Sequence, residues 1–191
     1  MENKENSMMY TKLFFIYFVS IIYIFFSVHA KPHIYSFNSL RDQKQVLYIF
    51  NENRKTVSDD NNDNDFKEMI KTRIPGENVE HIAPITLKVI RDNGITAGFI
   101  VYYMQSAEKG IIWIVEVDAT QRRKGYGNFL MHYAMKDLCS MGAQNIGLWV
   151  SFSNDSAKKM YESLGFIEKA NNDDNDTSDD IYLEYDVSKK A

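Results

Sequence analysis

At 191 residues the chain has room for one domain plus a leader. Its 45% hydrophobic and 25% charged residues are those of a globular protein, and a single cysteine, Cys139, excludes an intrachain disulfide framework. The net charge of −4 hides two acidic clusters, Asp59 to Asp65 and Asp173 to Asp180; outside them lysine and arginine are in mild excess, which suits a small anionic ligand and is too dispersed for nucleic acid.

The first element is Leu13 to Val28, which carries no charged residue. Its length falls between a secretory signal core, about 7–15 residues, and a membrane span, about 20. Residues 1–30 are read as a signal peptide cleaved after Val28-His29-Ala30, or else as an uncleaved signal anchor, a transmembrane helix. Either engages a membrane or the secretory translocon and directs the chain to the secretory pathway or endomembranes. If the segment is kept, Lys31, Arg41, Lys44, Arg54 and Lys55 would hold the C-terminal domain on the cytosolic side. Residues 31–44 are basic and aperiodic and read as a linker or a transit-like segment, which with the leader would address a secondary plastid.

The folded domain is expected over residues 45–187. Val46 to Phe50 reads as an opening strand, Asp59 to Asp65 as a low-complexity solvated loop, and Phe66 to Arg73 as a weak helix ended by Pro75-Gly76. Ile85 to Ile90 and Ile95 to Met104, joined through Asp92-Asn93-Gly94, read as a hairpin. Ala107 to Gly110 turns again into an apolar strand, Ile111 to Val117. Next comes a basic turn. Then Phe129, Leu130, Tyr133, Ala134, Leu138 and Met141 recur at helical spacing up to Gly142. Ile146 to Val150 is a strand. Ser153, Asn154 or Asp155 caps a second helix through Ala157, Met160, Tyr161 and Leu164, ended by Gly165. Phe166 to Ala170 is a strand, 171–180 an acidic loop, and Ile181 to Tyr185 the last strand. The order is β, weak α, β, β, β, α, β, α, β, β. A strand, helix and strand in succession require a crossover, hence locally parallel strands in a mixed sheet.

The chemistry concentrates in Val115 to Leu130. A strand end, a turn with Arg122, Arg123, Lys124, Gly125 and Gly127, and a helix start make a site for a phosphorylated ligand, because a helix N-terminus presents unpaired N–H groups and a partial positive charge. Gly125 and Gly127 leave room for close backbone approach. The stretch Gly125-Tyr126-Gly127-Asn128-Phe129-Leu130 lacks the third glycine of a dinucleotide fingerprint. Asn154 and Tyr161, seven apart, share a helix face, with Ala157 leaving space between them. Glu116 interrupts an apolar strand, pointing to solvent or acting on a substrate through water. His132 reads as structural or surface.

Arg122-x-x-Gly125-x-Gly127 resembles the acyl-CoA signature of the GCN5-related N-acetyltransferase (GNAT) family, and Asn154-x-x-Ala157-x-x-x-Tyr161-x-x-x-Gly165-Phe166 resembles its second motif. The resemblance spans about residues 85–187 and implies the α/β (α+β) GNAT fold, a mixed central sheet of about six to seven strands with flanking helices. It implies transfer of acetyl from acetyl-CoA to a primary amine (a protein N-terminus, a lysine or a small amine) by direct attack in a ternary complex, with no metal. Main-chain groups of Arg123, Lys124, Gly125, Tyr126, Gly127 and Asn128 would hold the pyrophosphate. Val115 and Val117, on a strand splayed from its neighbour, would pair with pantetheine and polarise the thioester. Asn154 would bind the pantetheine arm and Tyr161 would protonate the departing thiolate; Glu116 is a catalytic candidate that would act on the amine through water, and a base or a water path is expected. Asn145 to Val150 followed by Ser153-Asn154 is similar to the protein N-terminal acetyltransferase branch, but Ile111 and Trp149 stand where that branch often carries Tyr and His. A catalytically weak, membrane-associated CoA-binding module is the alternative. Trp149 itself is read as a core filler. The acidic loop 171–180 is a solvated insertion or a contact for basic substrates.

Overall fold

A computed structural model describes residues 32–54, 66, 67, 70, 84–169 and 180–189. The leader over 1–30, the Asn/Asp tract at 59–65, the Pro75-Gly76 stop and residues 171–179 of the acidic loop lie outside the described residues.

Seven strands form one sheet: β1 (His33–Ser36), β2 (Thr86–Asp92), β3 (Ile95–Met104), β4 (Lys109–Val117), β5 (Asn145–Ser151), β6 (Ile167–Glu168) and β7 (Asp180–Asp186). Their spatial order is β1-β2-β3-β4-β5-β7-β6. Every neighbouring pair is antiparallel except β4 and β5, which are parallel and joined by the crossover helix. Among the described residues three helices of full length flank the sheet: α1 (Ser39–Arg54), α2 (Tyr126–Ser140) and α3 (Asp155–Ser163). The mixed sheet and the two helices around the basic turn are those the sequence predicts. The β2–β3 turn is made by Asn93 (φ 50°) and Gly94 (φ 81°), as Asn-Gly between two apolar runs demands.

The beginning of the domain differs from expectation. Residues 33–36 pair with Lys88 to Arg91 as the edge strand β1, and residues 39–54 form α1, so 31–44 is not a linker and Val46–Phe50 is not a strand. Asn38 caps α1: its Oδ1 accepts from Arg41 N–H at 3.2 Å, while Asp42 Oδ2 accepts from Asn38 N–H at 2.8 Å. Val46, Ile49 and Phe50 are buried while Tyr48 is exposed, a helical rather than an alternating pattern. Strand β6 is likewise shorter than the expected 166–170, and Phe166 lies in the core beside Tyr161 and Tyr185.

Each face of the sheet has its own core. On one, α2 and α3 pack Leu130, Met131, Ala134, Leu138 and Tyr161 over Ile100, Ile112, Ile146, Leu148 and Leu183. On the other, Val46, Ile49 and Phe50 of α1 cover Val89, Phe99, Val101 and Ile114, with Phe66 stacked between Phe50 (4.2 Å) and Phe99 (5.4 Å). A buried ion pair pins α1 to the hairpin. Arg91 Nη2 meets Asp42 Oδ2 at 2.6 Å, its Nε meets Oδ1 at 3.2 Å, and Thr96 Oγ1 donates to Oδ1 at 3.2 Å. Burial alone would raise the Asp42 pKa; the Arg91, Asn38 and Thr96 contacts outweigh it and hold the carboxyl below its usual range.

Strands β4 and β5 pair only at Lys109–Asn145, Gly110–Ile146 and Ile111–Gly147. Beyond Ile111 they part. A bulge begins at the next residues, where Val101 opposes Ile114 and Tyr102 opposes Ile112, leaving Trp113 as the extra residue. An extra residue bends its strand, and the bend falls where β4 leaves β5. The family expectation of splayed strands is met by this geometry.

Candidate active site

The parting of β4 from β5 exposes a backbone edge. Asp118 N–H donates to Ala97 C=O at 2.9 Å, so the facing pair Gly98–Val117 is one whose own N–H and C=O groups do not bond across the ladder. By alternation, the main-chain groups of Val117 and Val115 point away from β3, into the gap. The Val117 carbonyl is not free, contrary to expectation: Asn53 Nδ2 and Arg122 Nε each donate to it at 3.3 Å. Among the described residues the unpaired edge therefore consists of Val115 and the N–H of Val117.

The turn after β4 is built by Asp118. Its Oδ1 accepts from Thr120 N–H (2.8 Å) and Oγ1 (2.7 Å), fixing a 3-10 turn over Ala119–Gln121, and its Oδ2 accepts from Gln45 of α1 at 3.3 Å. The three basic side chains then diverge. Arg122 turns back, its Nη2 donating to Asn53 Oδ1 at 2.6 Å. Lys124 Nζ bonds Gln121 Oε1 at 2.7 Å and lies 3.9 Å from Asp92. Arg123, at φ 65° and exposed, makes no side-chain hydrogen bond or ion pair among the described residues.

Gly125 is the N-cap of α2 at φ 83°, a left-handed conformation that disfavours any residue with a Cβ, and no side chain caps the helix. A Cβ there would meet nothing within 4 Å, so the helix mouth is open. The first helical bond runs from Phe129 N–H to Gly125 C=O (3.0 Å), leaving the N–H groups of Tyr126, Gly127 and Asn128 directed out of the helix start. Gly127 has another reason to be small: a Cβ would stand 3.0 Å from Met160 Sδ, so this glycine seats α2 against α3. Tyr126 anchors the turn from beneath. It is buried and donates to Asp92 Oδ2 at 2.6 Å; burial and this carboxylate push its pKa up to about 12.

Asn154 caps α3, its Oδ1 accepting from Ala157 N–H at 3.2 Å, which leaves its exposed Nδ2 to donate. Two helical turns on, Tyr161 is 6% exposed, its ring 6.1 Å from Phe166, and its hydroxyl has no hydrogen-bond partner among the described residues. Burial raises its pKa, and the charge of Glu116 raises it further. Glu116 is half-buried and accepts from Asn53 Nδ2.

Sequence reasoning missed Asn53. The only signal was a polar residue continuing the apolar stripe Val46, Ile49, Phe50. Trp149 was expected in the core but is 43% exposed, tilted against Tyr182 at 5.0 Å. It projects from the side of β5 opposite the core residues Ile146, Leu148 and Val150. Ile111 is buried and His132 exposed. Among the described residues no group of three His, Cys, Asp or Glu side chains is placed to hold a metal. Among them, too, no helix is long and apolar enough to cross a membrane.

Residues 44–166 match the family model described as acetyltransferase (GNAT) family. No curated protein matches the sequence. Among solved structures, Ard1 from Thermoplasma volcanium aligns over 82% of this chain and 97% of its own at 22% identity, TM-score 0.62. The ribosomal-protein-S18-alanine N-acetyltransferase from Escherichia coli aligns over 82% and 94% at 21% identity, TM-score 0.59. The paiA N-acetyltransferase from Thermoplasma acidophilum, solved in complex with coenzyme A, aligns over 82% and 99% at 14% identity, TM-score 0.61. At these identities the likeness is one of fold.

Proposed function

Because this chain belongs to the acetyltransferase (GNAT) family, with acetyl-CoA as the donor, we propose that it transfers the acetyl group to a primary amine by direct attack, with Glu116 and Tyr161 as base and acid. The observation that carries this reading is the unpaired edge of β4, the strand that bears Glu116, beside an uncapped helix start, with Tyr161 buried on α3.

The residues fit the donor. The N–H groups of Gly125 to Asn128 and the uncommitted guanidinium of Arg123 suit a pyrophosphate. The Val115 edge suits the amides of pantetheine, as an added strand would. Asn154 Nδ2 lies at the α3 start to meet the same arm. Positioning accounts for much of the acceleration in such a site. The acceptor nitrogen attacks the thioester carbon, and a strand N–H directed into the gap stabilises the charge that develops on the carbonyl oxygen. Glu116 takes the amine proton through a water. The carbon–sulfur bond then breaks, and Tyr161 gives its proton to the departing sulfur and regains one from solvent. Its raised pKa keeps that proton in place until sulfur charge appears.

The test is mass spectrometry of products from a mixed library of peptides and polyamines incubated with acetyl-CoA. Acetylated amines are expected, and exclusive acetylation of hydroxyls would overturn the reading. The membrane-associated, catalytically weak alternative has no observation in its favour. A secretory leader over residues 1–30 is the reading of the uncharged apolar run Leu13 to Val28. Fusion of residues 1–32 to a fluorescent protein tests it, and diffuse cytosolic signal would sink it.

A further inference from the structure

We propose that Asn53, on α1, is a positioning residue that sets the orientation of Glu116 and ties it to the cofactor turn. This rests on the reading of Glu116 as the base. Asn53 sits seven residues beyond Val46 and so two turns along the stripe that packs on the sheet. There a leucine or valine would continue the core. Instead, the carboxamide reaches the end of β4 and uses both its donors and its acceptor. Nδ2 donates to Glu116 Oε2 and, at 3.3 Å, to the Val117 carbonyl; Oδ1 accepts from Arg122 Nη2 at 2.6 Å. Only an amide side chain can do this: aspartate lacks the donors and leucine lacks everything.

The consequences are local and specific. Glu116 is held by a donor on the α1 side, so its carboxylate cannot swing freely along the gap. Arg122 is held twice, through Asn53 and through Val117 C=O, and so serves as a strut between α1 and the turn rather than as a phosphate ligand. Helix α1 itself cannot drift, because Asp42 and Gln45 pin it further back. A rigid helix thus sets the position of a reactive carboxylate on a strand that has lost its neighbour on one side.

The test is a double-mutant cycle of Asn53→Ala and Glu116→Gln, with kcat measured on the amine found by the library screen and acetyl-CoA affinity measured by calorimetry. Asn53→Ala is expected to lower kcat about 10- to 100-fold, as misplacement of a catalytic group does, with acetyl-CoA affinity changed less than about threefold. In the Glu116→Gln background the same change is expected to cost less than about twofold. Asn53→Asp, which keeps the acceptor for Arg122 but sets a like charge against Glu116, should lower kcat at least as far. Asn53→Ser, with a melting curve, guards against loss of fold. If Glu116→Gln lowers kcat but Asn53→Ala leaves it unchanged, or if the two effects simply multiply, Asn53 is not a positioning residue. If Glu116→Gln itself leaves kcat intact, the reading of Glu116 fails instead.

Discussion

Replacing Tyr161 by phenylalanine should separate catalysis from stability, with opposite signs. The ring stays packed on Phe166, so no cavity forms. What goes is a buried hydroxyl without a hydrogen-bond partner among the described residues. Burying such a group unpaired costs about 1–3 kcal/mol, so its removal should leave the fold as stable or more stable by about 1 kcal/mol. For a domain of this size that is a rise of about 2–4 °C in melting temperature. Turnover should move the other way. A general acid contributes about 10²- to 10⁴-fold, equivalent to about 2.7–5.4 kcal/mol of barrier at 1.36 kcal/mol per decade. The assays are thermal melting and thiol release from acetyl-CoA at saturating acceptor. A melting temperature lowered by several degrees with kcat unchanged would refute the reasoning and assign the hydroxyl to the fold.

Four further outcomes rest on particular contacts. Asp42→Ala leaves Arg91 buried without its partner and should destabilise by about 3–5 kcal/mol by denaturant titration. Because the Asp42 pKa is lowered in the fold, its contribution is present above its ordinary value near 4 and lost as pH falls through the folded value, so the variant should show a flatter acid limb. Gly98→Ala sets a Cβ 2.6 Å from the Glu116 carbonyl oxygen, a backbone atom that cannot step aside, and should cost about 1–3 kcal/mol with a fall in kcat. Gly127→Ala meets only the flexible tip of Met160 and should change the melting temperature little. On the alkaline side Tyr102, Tyr126, Tyr161 and Tyr182 all have raised pKa values. Their stabilisation is complete below the ordinary tyrosine value near 10 and is lost as pH rises through the raised ones. Melting temperature should fall from pH 10 to 12, less steeply in Tyr126→Phe.

The second half of the chain was legible because its signals are local. Asn93-Gly94 forces a hairpin, Gly125 and Gly165 punctuate helices, and the crossover from β4 to β5 leaves one topology. The first half was not. Val46 to Phe50 is an unbroken apolar run, and such runs do not distinguish strand from buried helix. The feature that decides it, Asp42 buried against Arg91 49 positions away, has no signature in the local sequence. The site divides the same way. The positions of Arg123 to Asn128, Asn154 and Tyr161 come from two spaced motifs, whereas Asn53 reaches Glu116 from 63 residues away. Gly127 shows that a motif residue can be small for a reason the motif does not state, since here it admits a methionine.

The three rungs that join β4 to β5 divide the seven strands into a four-strand block and a three-strand block along a short seam. Amide exchange should register this directly. The N–H groups of Val115 and Val117 should exchange fast and that of Glu116, bonded to β3, slowly: a two-residue alternation along a single strand. An extended ligand lying in the gap would supply the missing rungs and close the seam, protecting Val115 first. Donor binding and the cooperativity of unfolding are then one linked equilibrium. Acetyl-CoA should not merely raise the melting temperature but sharpen the transition, as two blocks that open separately become a single sheet.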